Sequence, residues 1–313
     1  KKHRGIMAQK VRELLKSRRF WVTTAVVSSA SLIFYDWYND RYASPSTRYQ
    51  RIEGDYQIST KVLRKIRKEF VREMYVGLQE DDTMPQSQKK SNLKMLSSNV
   101  RSIPTGKEQG IFYTLDWGGS NYRVLRMEFF GDKRNKPQSL EFKTKIEQKY
   151  QKVDDAQELF DYLSNHLKDQ IDAHKSLNAK HGNKEIPIGF TFSFPMTQPR
   201  LNSGILLEWT KGFDIPGVVG QDVATWMHRS FAKHKINAKI HAVCNDTVGT
   251  LLAAAFDHDN VRVGVILGTG SNAAYIEPNP PKKSDDDDEK NTMGEIINIE
   301  WGNFARLLPR MPT

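Results

Sequence analysis

The chain has 313 residues, 38% of them hydrophobic and 27% charged, with one cysteine and a formal net charge of +10. A single cysteine excludes a module stapled by internal disulfides, and the length suffices for one large domain or two ordinary ones of roughly 100–200 residues. Residues 1–51 hold 11 Lys and Arg against 3 acids, a net of +8, so the rest of the chain carries only +2 and lacks the basic folded face that nucleic-acid binding requires.

In chain order, the basic flank leads into residues 20–35, FWVTTAVVSSASLIFY, sixteen positions without a charge. As a helix this stretch would span ~24 Å, short of a ~30 Å hydrocarbon core, with Tyr35, Trp37 and Tyr38 able to sit at the headgroups. A basic region followed by an apolar one is the layout of targeting segments, so residues 1–50 are expected to form a membrane anchor or targeting segment; an amphipathic or buried helix is the alternative. The sequence starts at Lys1, with its first methionine at Met7, and stops at Thr313, which reads as a partial chain.

Residues 39–60 read as a polar linker. Ser59 then offers an N-cap to an apolar repeat, Val62, Ile66, Phe70, Met74 and Leu78, that predicts a helix ending near Gly77. Residues 79–92 form a polar loop and 93–100 a short helix or an extended approach. From Gly110 the period changes to two: IFYTLDW, YRVLRMEFF and LEFKTKIEQ alternate as strands of an antiparallel meander. Leu159, Leu163, Leu167 and Ile171 mark a helix within residues 154–178. Strands are expected at 186–194, 240–243 and 261–267, and helices at 218–235 and 248–256. Residues 279–293, with three prolines nearby and the acidic run 285–289, read as a solvated loop, since consecutive carboxylates on a flexible loop lack the fixed geometry of a metal site.

Four segments carry chemistry. In Asp116-Trp117-Gly118-Gly119-Ser120-Asn121-Tyr122-Arg123, a carboxylate at a strand end precedes two glycines and a hydroxyl, a pattern that lets backbone N–H groups approach phosphate; a tight hairpin turn is the plain alternative. Gly268-Thr269-Gly270 closes another strand, so two such turns could grip one polyphosphate. Asn245-Asp246-Thr247 stands at a strand-to-helix junction, where Asp246 or Thr247 is either an N-cap or, for Asp246, a general base. Ser193, Thr210-Lys211 and 298–302 (NIEWG) supply the hydroxyl, ammonium, amide and carboxylate groups that a polyhydroxylated ligand needs.

The ordered series LDWGGSNYRVLR, GFTFSFP, GILLEWTKGF, CNDTVGTLLAAAF, ILGTGSNAAYIE and INIEWGNF resembles the hexokinase family over about residues 55–313, and is more similar to its plant and algal members than to its animal ones. The resemblance implies an α/β, actin-like ATPase (ribonuclease H-like) fold of two lobes. The small lobe would cover residues 103–243, and an incomplete second lobe 51–102 plus 244–313. It implies ATP-dependent phosphorylation of hexoses at the 6-hydroxyl, the first step of glycolysis, with ATP and Mg2+ as cofactors. Asp246 matches the family's catalytic base. Ser193, Thr210, Lys211, Asn245, Asn272 and Glu300 match sugar-binding positions. Asp116, Gly118, Gly119, Ser120, Asn121 and Arg123 match the first phosphate loop, Gly268, Thr269 and Gly270 the second, and Asp116 would hold Mg2+ indirectly, through water. Trp117 departs from the usual aliphatic residue and is expected to crowd the turn. A non-catalytic, sugar-sensing protein of the same family is the alternative function. The resemblance also favours attachment to the mitochondrial outer membrane, with plastid or soluble cytoplasmic placement as alternatives.

Overall fold

The computed structural model describes residues 58–80, 90–179, 182, 184–268, 270–280, 293–302 and 304. The chain divides into two compact units, residues 1–65 and 66–313. The apolar span 20–35 and the acidic run 285–289 lie outside the described residues. Among the described residues no helix is long and apolar enough to cross a membrane.

Helix α1 (Thr60–Leu78) begins at the expected cap, with the Ser59 hydroxyl accepting from the Val62 N–H at 3.3 Å. Within residues 66–313, its stripe of Ile66, Phe70, Met74 and Leu78 packs against Leu93, Met95, Ile297 and Phe304. Residues 93–100 are extended rather than helical. Met95 and Asn99 adopt positive φ, and β1 (Leu96–Ser97) pairs with β11 (Glu295–Asn298).

Strands β2 (Gln109–Trp117), β3 (Asn121–Phe130) and β4 (Gln138–Lys145) form the expected meander. Strands β5 (Ile186–Phe192) and β8 (Ala238–Cys244) add in parallel, completing a five-stranded sheet of order β4-β3-β2-β5-β8. Its core joins alternate β2 residues, Tyr113, Leu115 and Trp117, to helix α2 (Ala156–Ala173), where Leu159, Leu163 and Leu167 face inward. The short helix α3 (Lys175–Asn178) follows, and the two-residue strands β6 (Met196–Thr197) and β7 (Ile205–Leu206) pair as a small ribbon. Helix α4 (Val223–Lys233) is shorter than the expected 218–235. Gly220 adopts φ +80°, and the Asp222 carboxylate caps the Ala224 N–H, so the helix cannot extend back past 222. Val218 is buried all the same, which explains the overlong sequence pattern.

Helix α5 (Asp246–Asp257) connects that sheet to a four-stranded antiparallel one of order β1-β11-β10-β9, formed with β9 (Val263–Leu267) and β10 (Ser271–Glu277). Val248 and Leu251 of α5 pack against Ala274, Ile276 and Ile296 of that second sheet.

Candidate functional site

Strands β2, β5 and β8 run parallel, and their carboxyl ends deliver Asp116, Ser193 and Asn245-Asp246 to one edge of the sheet. Ligands of open α/β sheets gather outside such ends.

At the β8 to α5 junction the cap is Asn245, neither Asp246 nor Thr247. Its side chain accepts from the Thr247 N–H at 2.9 Å from an extended backbone. Asp246 is thereby the first helical residue, relieved of capping, with its carboxylate in the positive field of the helix N-terminus.

Asp116 and Arg123 are register partners across β2 and β3, and their side chains meet at 2.8 Å. Burial holds the Asp116 carboxyl above its ordinary range; Arg123 and Lys211 oppose the rise, and the charge of Asp246 adds to it. In the turn that follows, the Gly118 N–H donates to the Asn121 carbonyl at 3.1 Å, and Gly119 adopts φ +102°, a conformation open to glycine. A Cβ at Gly118 would meet nothing within 4 Å, so the backbone there borders open space. Trp117 does not crowd this turn. Its side chain points into the core, and its indole N–H donates to the Gly119 carbonyl at 3.1 Å, bracing the turn from beneath. Ser120 contributes its carbonyl to the Ile146 N–H, and its side chain is exposed.

Lys211 is an exposed residue held in place. It sits at φ +58° in a turn closed by the Phe213 N–H on the Thr210 carbonyl, and its stem lies against Gly119, where a Cβ would meet Lys211 Cδ at 2.9 Å. Its Nζ donates to the Ser193 carbonyl at 2.6 Å and stands 5.3 Å from the Phe194 ring centre. Ser193 itself is 5% exposed, and its buried Oγ has no hydrogen-bond partner among the described residues. Such an orphaned hydroxyl beside a fixed ammonium suits a hydroxylated ligand.

On the second sheet, Asn272 Nδ2 donates to Asn298 Oδ1 at 2.9 Å and to Glu300 Oε1 at 3.1 Å, while its Oδ1 accepts from the Glu300 N–H at 3.1 Å. Asn298 Nδ2 also donates to Glu300 Oε1, at 2.9 Å. Burial raises the Glu300 carboxyl, the Asn298 bond and the charges of Lys94 and Lys211 lower it, and Asp246 raises it. One electrostatic neighbourhood therefore links Asp116, Lys211, Asp246 and Glu300. Gly268 donates its N–H to the Gly270 carbonyl at 2.9 Å, and a Cβ at Gly270 would meet nothing within 4 Å. Thr269 lies outside the described residues, and among those described no hydrogen bond or ion pair joins the 268–270 turn to the 118–119 turn.

Sequence reasoning missed Lys94. It is 7% exposed, ion-paired with Glu208 just before Trp209-Thr210-Lys211, and its charge reaches Glu300. A lysine in NLKML carries no local sign of burial. Among the described residues no three of His, Cys, Asp or Glu converge to hold a metal.

Residues 48–256 match a family model described as Hexokinase, and residues 262–313 match a second one of the same description. The chain is 38% identical over 251 residues to Hexokinase-1 of Nicotiana tabacum, covering 77% of this chain and 47% of that protein. It is 38% identical over 257 residues to the chloroplastic Hexokinase-4 of Oryza sativa subsp. japonica, covering 79% and 47%. Among solved structures it is similar to a hexokinase from Schistosoma mansoni complexed with glucose, with TM-score 0.66, 35% identity, and coverage of 79% of this chain and 52% of that one. The chain spans about half the length of the curated relatives it matches.

Proposed function

Because the chain belongs to the hexokinase family and has its actin-like ATPase fold, we propose that it acts in transfer of the ATP γ-phosphoryl group to the 6-hydroxyl of a hexose. The observation that carries this reading is the capping of α5 by Asn245, which leaves the Asp246 carboxylate unengaged as a cap at the strand ends, where its charge reaches Asp116. Asp246 accepts the proton of the 6-hydroxyl as its oxygen bonds to the γ-phosphorus; the bond from that phosphorus to the bridging oxygen breaks, and ADP leaves. Ser193, Thr210, Lys211, Asn245, Asn272 and Glu300 hold the sugar, whose hydroxyls must each donate and accept. Glucose in the Schistosoma mansoni structure supports a hexose as the ligand.

Gly118, Gly119, Ser120, Asn121 and Arg123 take one side of the phosphates, and Gly268, Thr269 and Gly270 the other; the open space beside Gly118 and Gly270 fits that role. Mg2+ bound with the nucleotide would neutralise phosphate charge, and Asp116, the carboxylate of the first turn, would hold it through water. The small lobe is taken as residues 103–243, and the other as 51–102 with 244–313. Residues 1–50 are assigned a membrane-anchoring role at the mitochondrial outer membrane; the chloroplastic rice relative supports the plastid alternative.

The test is a coupled assay of glucose 6-phosphate formation with the full-length protein and its Asp246→Ala variant. The variant should lose roughly 10²–10⁴-fold in kcat while retaining glucose binding. Glucose binding without turnover in the unmodified protein would establish the sugar-sensing alternative instead.

A further inference from the structure

A cavity of about 490 Å³ opens at the end of the five-stranded sheet opposite the candidate site. Ile111 near the start of β2, Ile186 as the first residue of β5 and Asn237 just before β8 all line it. The far ends of these same parallel strands carry Asp116, Ser193 and Asn245. With seven residues in β5, at ~3.3 Å per residue, the two places are ~20 Å apart or more. The cavity is therefore separate from the sugar and phosphate cleft.

Its floor is apolar, with Ile111 and Ile236 buried and Ile171 and Ile186 half-buried. Its rim is basic. Lys168, Lys175, Lys184 and Lys235 surround it against one acid, Asp172, a balance of +3, and none of these lysines forms an ion pair among the described residues. One wall is fixed in advance: Asn178 donates to the Tyr113 hydroxyl at 2.9 Å and accepts from Arg126 Nε at 2.9 Å, Arg126 being buried.

Lys235 adds an independent sign. Helix α4 closes with the Ile236 N–H on the Phe231 carbonyl at 2.9 Å and the Lys235 N–H on the Ala232 carbonyl at 3.2 Å, which forces the residue between His234 and Ile236 to positive φ. Glycine is favoured there, yet Lys235 occupies it at φ +55°. A lysine lining the cavity thus stands at a position whose backbone favours glycine.

We propose that this cavity binds a soluble organic anion with a compact apolar body, of the aryl or alkyl phosphate class. The net positive rim of the described residues selects the anionic group, the isoleucine floor gains only by covering an apolar one, and the volume lies within the ~300–1,000 Å³ of small-molecule sites. This inference does not depend on the proposed phosphotransfer.

Isothermal titration of the full chain with 2-naphthyl phosphate should show one saturable site, unaffected by saturating glucose and ATP. Inorganic phosphate and 2-naphthol should each bind at least about tenfold more weakly, since each lacks one half of the ligand. Lys235→Gly should weaken binding about tenfold with an unchanged or higher melting temperature, because glycine relaxes the positive φ; Lys168→Ala should weaken it similarly. Absence of saturation, affinity unchanged in both variants, or displacement by glucose and ATP would overturn the proposal. So would binding to phosphatidylserine vesicles without binding of the soluble phosphate, which would make the rim a lipid-headgroup site.

Discussion

Replacing Trp117 by leucine tests whether the indole crowds the glycine turn or supports it. Five aromatic rings surround it, those of Phe160, Phe192, Phe194, Trp209 and Phe213, with centroids 5.2 to 6.0 Å away. Leucine would leave a void of roughly 60 Å³, which at about 24 cal/mol per Å³ costs ~1.4 kcal/mol. Loss of the indole bond to the Gly119 carbonyl adds ~1 kcal/mol, and loss of favourable edge contacts ~0.5–1.5 kcal/mol more. The expected total is ~3 kcal/mol, or a fall of about 5 °C in melting temperature for a chain of this size. Differential scanning calorimetry reads the shift, and Trp117→Phe, which keeps a ring but not the N–H, should fall between the two. An unchanged or raised melting temperature in Trp117→Leu would refute the packing account and restore the crowding one.

Asn245 and Asp246 should differ in how far their loss lowers stability. Asn245→Ala removes the α5 cap and should cost ~1 kcal/mol in urea denaturation, whereas Asp246→Asn should cost less than ~1 kcal/mol yet abolish most sugar phosphorylation. A pH effect is expected from Glu300. Its carboxyl is raised chiefly by burial, so the folded chain binds this proton more tightly than the unfolded chain. The resulting stability is present below the ordinary carboxylate value of ~4.3 and is lost as pH rises through the folded value. Glu300→Gln should flatten that decline; an identical profile in both proteins would count against the buried carboxylate. Burial pushes the Cys244 thiol up to about 11 from 9.0, so its alkylation by iodoacetamide should run ~100-fold slower in native protein than in urea, and equal rates would contradict its environment.

Much of this architecture was legible locally. The change of period from four in Val62, Ile66 and Phe70 to two in the strands after Gly110 marks which segments pack on one side, because helix and strand geometry repeat at those intervals. Turns were legible where glycine pairs interrupt alternation, as at Gly118-Gly119. Residues 218–222 share the helical pattern because Val218 is buried like a helical face, while Gly220 and the Asp222 cap fix the helix start at Val223. Burial reports distance from solvent and not backbone conformation.

Family membership, the meander and the identity of the polar residues at strand ends were set by the sequence alone, since they depend on near neighbours and on motif order. Which group caps α5, where the Trp117 ring goes, and the pairing of Lys94 with Glu208, 114 positions away, were decided only by the tertiary structure. Each is a choice among partners that chain proximity does not rank. Asn245, Asp246 and Thr247 are all able to cap, and it is the extended backbone of Asn245, with its side chain on the Thr247 N–H, that relieves Asp246 of that task. A buried lysine likewise depends on the far segment that brings its carboxylate.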